Sequence, residues 1–241
     1  MIEKAFFEHN AVKIQTSLRN ILREYFQHLF LSNLYQAKGS QYFYFKGGTA
    51  LKLIFNSPRF SEDLDFSANK NSFIYEDMLQ EILIKIQREG INCRLEESKK
   101  TTGGHLAIIG LVIYDEEFQI KTEISYREKK LNGENLMVVS DSFPPYTVNI
   151  LKTKNLIQEK RDALLERHKP RDFFDLYFIL RNNHLRKYLQ INNIFLNKTK
   201  EILKKTELKT LEEEIKEFLP FSFRPIIKNL RQNLLIELKR L

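Results

Sequence analysis

One stretch constrains this chain more than any other: Phe45 to Ser67, which reads FKGGTALKLIFNSPRFSEDLDFS. A strand-like run (Tyr42 to Phe45) leads into Gly47-Gly48, a helix-like run (Thr49 to Phe55) follows, and then come Asp63 and Asp65, one residue apart. Alternate side chains of a strand share a face, so the two aspartates point together while Leu64 and Phe66 point into a core. Paired carboxylates repel unless a cation lies between them, and their hard oxygens suit a divalent ion such as Mg²⁺. Backbone amides at a glycine-opened helix start suit a phosphate. Gly-Gly alone is usually a turn, and Asp-x-Asp alone is often a solvated strand end. Together, in strand–Gly-Gly–helix–strand order, they point to chemistry on a nucleotide.

The 241 residues allow one large domain or two modest ones. Hydrophobic residues make up 42% and charged residues 29%, a globular balance. No apolar run approaches a membrane span, and MIEKAFFEHNAVKI carries no apolar signal core, so a cytoplasmic protein is expected. The single cysteine, Cys93, lies in alternating apolar sequence and reads as packing. The net charge of +8 favours a polyanionic partner, nucleic acid first, although a solvated cationic surface gives the same sum.

Along the chain, the periodicity predicts helix from Ile2 to about Gln36 and again from Tyr75 to Arg88. Three strands are expected at Ile91–Glu96, His105–Tyr114 and Phe118–Tyr126. His105 reads as structural. In the third strand Ile120, Thr122 and Ile124 share one face, which leaves Lys121, Glu123 and Ser125 on the other. Metal-dependent nucleotidyl transfer needs a further acid beside the aspartate pair, and Glu123 is the candidate. The alternative is a solvated Glu123 paired with Lys121 or Arg127. Pro144-Pro145 marks a boundary between residues 1–145, the catalytic core with its N-terminal helices, and residues 146–241, a helical domain. Beyond it helix is expected from Val148 to Arg167, from Pro170 to about Arg181, and through much of His184 to Leu241.

A second constellation, KRDALLERHKPRDFFD, spans Lys160 to Asp175. Asp172 falls in a first helical turn, where an acid favours the helix dipole. Asp175 falls one turn later among Phe173, Phe174, Leu176 and Tyr177 and needs a basic partner, Lys160 or Arg171.

GGTAL followed by RFSEDLDFS resembles the signature of the DNA polymerase β-type nucleotidyltransferases. Within them the chain is similar to the AbiEii family, toxins of bacterial type IV toxin–antitoxin and phage-defence systems. Glu159-Lys160, Ala163-Leu164, Arg167 and Lys169-Pro-Arg-Asp-Phe-Phe-Asp-Leu176 match that family's helical motif EK…AL…R…KPRDxxDL. The resemblance implies an α/β (α+β) fold: a nucleotidyltransferase core with a small mixed sheet flanked by helices, then a helical C-terminal domain, with the active site in the cleft between them. It implies that Asp63 and Asp65, with Glu123 as the third strand acid, hold two Mg²⁺ ions. Gly47, Gly48 and Thr49 would support the phosphates of a nucleoside triphosphate. Lys160, helped by Arg59 or Lys46, would neutralise the leaving pyrophosphate, and Asp175 would complete the pocket. Ser61, Arg171 and Asp172 are counted with the nucleotide-contacting residues. The family's third strand acid is usually Asp, whereas this chain has Glu.

The expected reaction moves a nucleoside monophosphate onto an acceptor hydroxyl, by resemblance a tRNA 3′ end, with a cognate antitoxin as a possible partner. Three other readings share these residues: transfer to a small molecule or a protein, a kinase-like phosphotransferase, and a non-catalytic nucleic-acid-binding protein on the same scaffold.

Overall fold

The computed structural model describes residues 2–68, 75–127, 131–206 and 213–240. The chain forms two compact units. The first comprises the chain up to Asn56 together with Phe60–Leu151. The second comprises Ser57–Arg59 and the chain from Lys152 onward. Among the described residues no helix is long and apolar enough to cross a membrane.

The first unit is built on a seven-stranded mixed sheet. Its strands are β1 (Phe43–Lys46), β2 (Leu64–Ala68), β3 (Asn92–Thr101), β4 (Gly104–Ile113), β5 (Glu116–Ser125), β6 (Gly133–Val138) and β7 (Tyr146–Leu151), in the spatial order β3-β4-β5-β2-β1-β7-β6. β1 pairs antiparallel with β2 and parallel with β7, and β2 pairs parallel with β5. The outer pairs are antiparallel hairpins. Alternation sorts the side chains as expected for half-buried strands. Phe43, Phe45, Leu64, Phe66, Ile120, Ile124, Val148 and Ile150 are at most 2% exposed, while Tyr44, Lys46, Asp65 and Glu123 stand on the opposite, more open face.

Helices α1 (Lys4–Ile14), α2 (Leu18–Gln36), α3 (Gly47–Phe55) and α4 (Tyr75–Arg88) belong to the same unit. α2 and α4 pack on one another, α2 on β7 and α4 on β3. The helix expected from Ile2 to Gln36 is interrupted. Gln15 takes a left-handed conformation with φ 61°, and the Ser17 hydroxyl accepts from the Asn20 amide at 3.2 Å to restart the helix as α2. Phe7, Leu22, Phe26 and Phe30 are fully buried. Each such side chain contributes about 1.5–3 kcal/mol over the exposed state.

The stretch after Pro145 differs from the expected helix start at Val148. Tyr146–Leu151 is a strand, β7, and helix begins only at Thr153. A short apolar run does not distinguish strand from buried helix by periodicity. Here the pairing with β1 and β6 decides, and it buries Val148 and Ile150.

The second unit carries α5 (Thr153–Arg167), α6 (Pro170–Arg181), α7 (Asn183–Arg186), α8 (Asn193–Lys205), α9 (Arg224–Lys228) and α10 (Leu230–Lys239). α6 packs against both α5 and α10. Its buried face (Phe173, Phe174, Leu176, Ile179, Leu180) meets a core that includes Leu156, Leu164, Leu234 and Leu238. The parts of the expected C-terminal helices that fall on 207–212 and Leu241 lie outside the described residues.

Candidate active site

Two groups of charged side chains stand out, one in each unit. In the first, β1 ends at Lys46 and Gly47 opens α3 with φ +83°. That left-handed conformation favours glycine, and space gives a second reason for it. A Cβ at Gly47 would lie 2.0 Å from Asp65 Oδ2, so the Asp65 carboxylate rests against the bare Cα at the start of α3. Lys46 is the Cα partner of Asp65 across the β1–β2 pair, and Asp65 is the partner of Glu123 across the parallel β2–β5 pair. Lys46, Asp65 and Glu123 therefore form one row across the sheet on its open face. Thr49 is fully buried, and its hydroxyl donates to the Asp63 carbonyl, which fixes the segment carrying the acids onto α3. Gln27 of α2 donates to the Ser61 carbonyl at 2.8 Å and to the Glu62 carbonyl at 3.2 Å, bracing the same segment from the other side.

Lys121 enters this group, although the sequence pointed to it only as a surface partner. Its Nζ is 2.6 Å from Glu123 Oε1 and 3.9 Å from Asp63 Oδ2. Partial burial would lower its pKa, yet the bond to Glu123 and the charges of Asp63, Glu123 and Asp65 raise it above the usual lysine value. An ammonium is thus held where three carboxylates converge their field. The signal was present in the alternation, since Lys121 and Glu123 share a face, but the strand that brings Asp63 and Asp65 beside them lies far off in sequence.

The second group lies in the helical unit. Asp175 of α6 is 1% exposed. Arg59 grips it with two bonds, Nε to Oδ1 at 2.9 Å and Nη2 to Oδ2 at 3.0 Å, and Lys160 of α5 donates to Oδ2 at 2.8 Å. Burial pushes the Asp175 pKa up, but Arg59 and Lys160 overcome it and hold the carboxyl at about 2. Two cations thus converge on one carboxylate in a mostly buried position. Of the two partners considered from sequence, Lys160 is the one that reaches Asp175, while Arg171 is exposed. The resemblance implies Arg59 beside the pyrophosphate, and its contact 116 residues along the chain has no local signal.

Asp172 is equally buried but serves the helix end. Its carboxylate accepts from the Lys169 backbone amide at 3.3 Å and from Arg167 Nη2 at 2.8 Å. This is capping of α6.

The residues of the first group fit a divalent metal as a carboxylate pair. Mg²⁺ is ordinarily held by one or two carboxylates together with substrate phosphates, and Asp63 and Asp65 supply hard oxygens next to a helix start suited to phosphates. Among the described residues no cluster of three or more His, Cys, Asp and Glu side chains comes together as a metal cage. Glu123, engaged by Lys121, stands beside the pair in register and does not complete such a cage.

Two further sequence candidates are structural. His105 is buried, bonded to Ser98 Oγ at 2.9 Å and set edge-on to Tyr75. Cys93 is buried, and burial pushes its thiol up to about 11.

Solved structures share this architecture. An H. pylori protein assigned as a nucleotidyltransferase superposes with a TM-score of 0.61 at 23% identity, covering 93% of this chain and 95% of its own. JHP933 from Helicobacter pylori gives 0.59 at 21% identity, covering 93% and 92%. MenT4, a nucleotidyltransferase toxin of Mycobacterium tuberculosis H37Rv, gives 0.66 at 17% identity, covering 100% and 91%. No match is found among curated proteins. At these identities the likeness establishes the fold. The family assignment comes from the sequence: the family described as "Nucleotidyl transferase AbiEii toxin, Type IV TA system" matches residues 29–240, so the chain belongs to the AbiEii family of nucleotidyltransferase toxins.

Proposed function

We propose that this protein transfers a nucleoside monophosphate from a nucleoside triphosphate to an acceptor hydroxyl on RNA, with Mg²⁺ bound at Asp63 and Asp65. The observation that carries the reading is the row Lys46–Asp65–Glu123 standing over the Gly47 helix start. Acids, a cation and unshielded helix amides are there combined at one place on the sheet.

In the proposed reaction the acceptor oxygen attacks the α-phosphorus, a new P–O bond forms, and the bond to the β-phosphate bridging oxygen breaks to release pyrophosphate. The amides of Gly47 and Gly48 orient the phosphates at the positive end of α3. When bound, the metal stabilises charge on the phosphates and acidifies the attacking hydroxyl. Glu123 accepts the hydroxyl proton, while Lys121 keeps its carboxylate oriented. Lys160, held by Asp175 and backed by Arg59, offsets charge on the departing pyrophosphate. The +8 net charge supports a polyanionic acceptor, and membership of a toxin–antitoxin family supports a cognate antitoxin as a partner.

The test is incubation with Mg²⁺, total tRNA and each of the four α-³²P nucleoside triphosphates, beside Asp65→Ala. Label entering RNA and lost in the variant is the expected result. Label in a small molecule or a protein instead would discard the RNA acceptor. Absence of α-label, with γ-label transferred from ATP, would replace nucleotidyl transfer by phosphoryl transfer.

A further inference from the structure

A pocket of about 470 Å³ opens on the sheet beside the acid row, lined in part by Gln41, Tyr44, Gly133, Glu134, Asn135 and Asn149. That volume falls within the usual range for small-molecule sites. Its position follows from register. Tyr44 precedes Lys46 by two residues on β1, so both side chains share the open face, and Asp65 is the partner of Lys46. The pocket therefore begins roughly 7 Å along β1 from the acid row.

The lining has a definite chemistry. Among the described residues its lining has no lysine or arginine. It offers the Tyr44 ring and three carboxamides (Gln41, Asn135, Asn149). An aromatic face stacks on any base. Carboxamides, each both donor and acceptor, match the mixed donors and acceptors along a base edge. The floor is fixed in advance. Asn149 Nδ2 donates to the Gln41 carbonyl at 3.1 Å, and the Tyr35 hydroxyl donates to the Asn149 carbonyl at 2.8 Å. Gly133 is required here by space, since a Cβ would lie 2.3 Å from Asn149 Oδ1 and 2.5 Å from Tyr44 Cδ1.

We propose that this pocket seats a nucleobase, stacked on Tyr44 and read by Asn135 and Gln41. The inference rests on the nucleotidyl-transfer reading and adds where base preference is set. The base belongs either to the RNA acceptor or to the nucleoside triphosphate.

The experiment measures binding to the full chain, without metal and at fixed ionic strength. The probes are four labelled single-stranded homotetranucleotides, by fluorescence anisotropy, and the four nucleoside triphosphates, by calorimetry. The proteins are wild type, Tyr44→Ala, Asn135→Ala and Gln41→Ala, each checked for fold by circular dichroism and melting temperature. Asn135 is exposed on an edge strand, so its variant reports on the pocket even where Tyr44→Ala fails to fold. Tyr44→Ala should weaken binding about tenfold, the scale of one stacked base. Asn135→Ala should narrow the spread among the four bases. Loss confined to the tetranucleotides assigns the acceptor base, and loss confined to the triphosphates assigns the incoming one. Wild-type binding that all folded variants retain in full would overturn the pocket alone. Binding of no probe by wild type would overturn it together with the transfer reading.

Discussion

At the scale of single residues, the two acids of the RDxxD segment separate clearly. Asp172 caps a helix, whereas Asp175 is bonded by both Arg59 and Lys160. Replacing Asp175 leaves two cations without that partner. Asp175→Asn should therefore cost about 3–5 kcal/mol in urea unfolding at neutral pH, against about 0.5–2 kcal/mol for Asp172→Ala. Activity should fall further in the Asp175 variant. The pH dependence has a fixed sign. The folded pKa of Asp175, about 2, lies below its ordinary 3.8, so its contribution is full above pH 4 and is lost as pH falls toward 2. The gap between wild type and Asp175→Asn should shrink over that window by about 2 kcal/mol. Asp65→Ala should lower label transfer by about a thousandfold or more without loss of melting temperature, since its carboxylate lies on the open face. Gly47→Ala should impair transfer too, because its Cβ displaces the Asp65 carboxylate and its φ is strained.

At the scale of elements, α2 contains a buried titratable side chain on the side facing β7. His28 is 2% exposed, bonded to the Tyr146 hydroxyl at 2.9 Å and stacked on Phe143. Burial first, and the charge of Lys52 second, lower its pKa to about 4. A histidine held neutral in the fold and protonated when unfolded stabilises the protein above pH 6.5, and that contribution is lost as pH falls through 4. Unfolding free energy should drop by about 3 kcal/mol over that interval, and His28→Gln should remove most of the slope. Denaturant titrations at stepped pH would check it. Much of this element level was legible in sequence. Tyr75–Arg88 is a helix as its periodicity indicates, and Pro170 opens α6. β7 was not legible, because residues 146–151 satisfy both patterns until β1 and β6 supply partners.

At the scale of the whole molecule, the net charge of +8 becomes a measurable property. If RNA is the acceptor, binding should weaken by roughly tenfold or more between about 50 and 200 mM salt through counterion release. Filter binding or anisotropy across a salt series would read the slope, and a flat response would remove charge as support for the RNA reading. The prediction belongs to this scale because no single lysine carries it. Lys+Arg exceed Asp+Glu by 39 to 31 over the full chain, and that excess sets the long-range field.

By itself the sequence determined what is local. Strand, Gly-Gly turn, helix and aspartate pair follow from alternation, from the backbone freedom of glycine and from the 3.6-residue period, all of which act over a few residues. The two motifs also determined the family. Tertiary structure decided the partners. It set Glu123 beside Asp65, placed Lys121 among the acids, and gave Asp175 to Arg59 from 116 residues away. The physical reason is that a charge in a folded chain is satisfied by what is near in space. Strand register and helix packing choose those neighbours, and the burial that makes the pairing compulsory exists only once the core has closed.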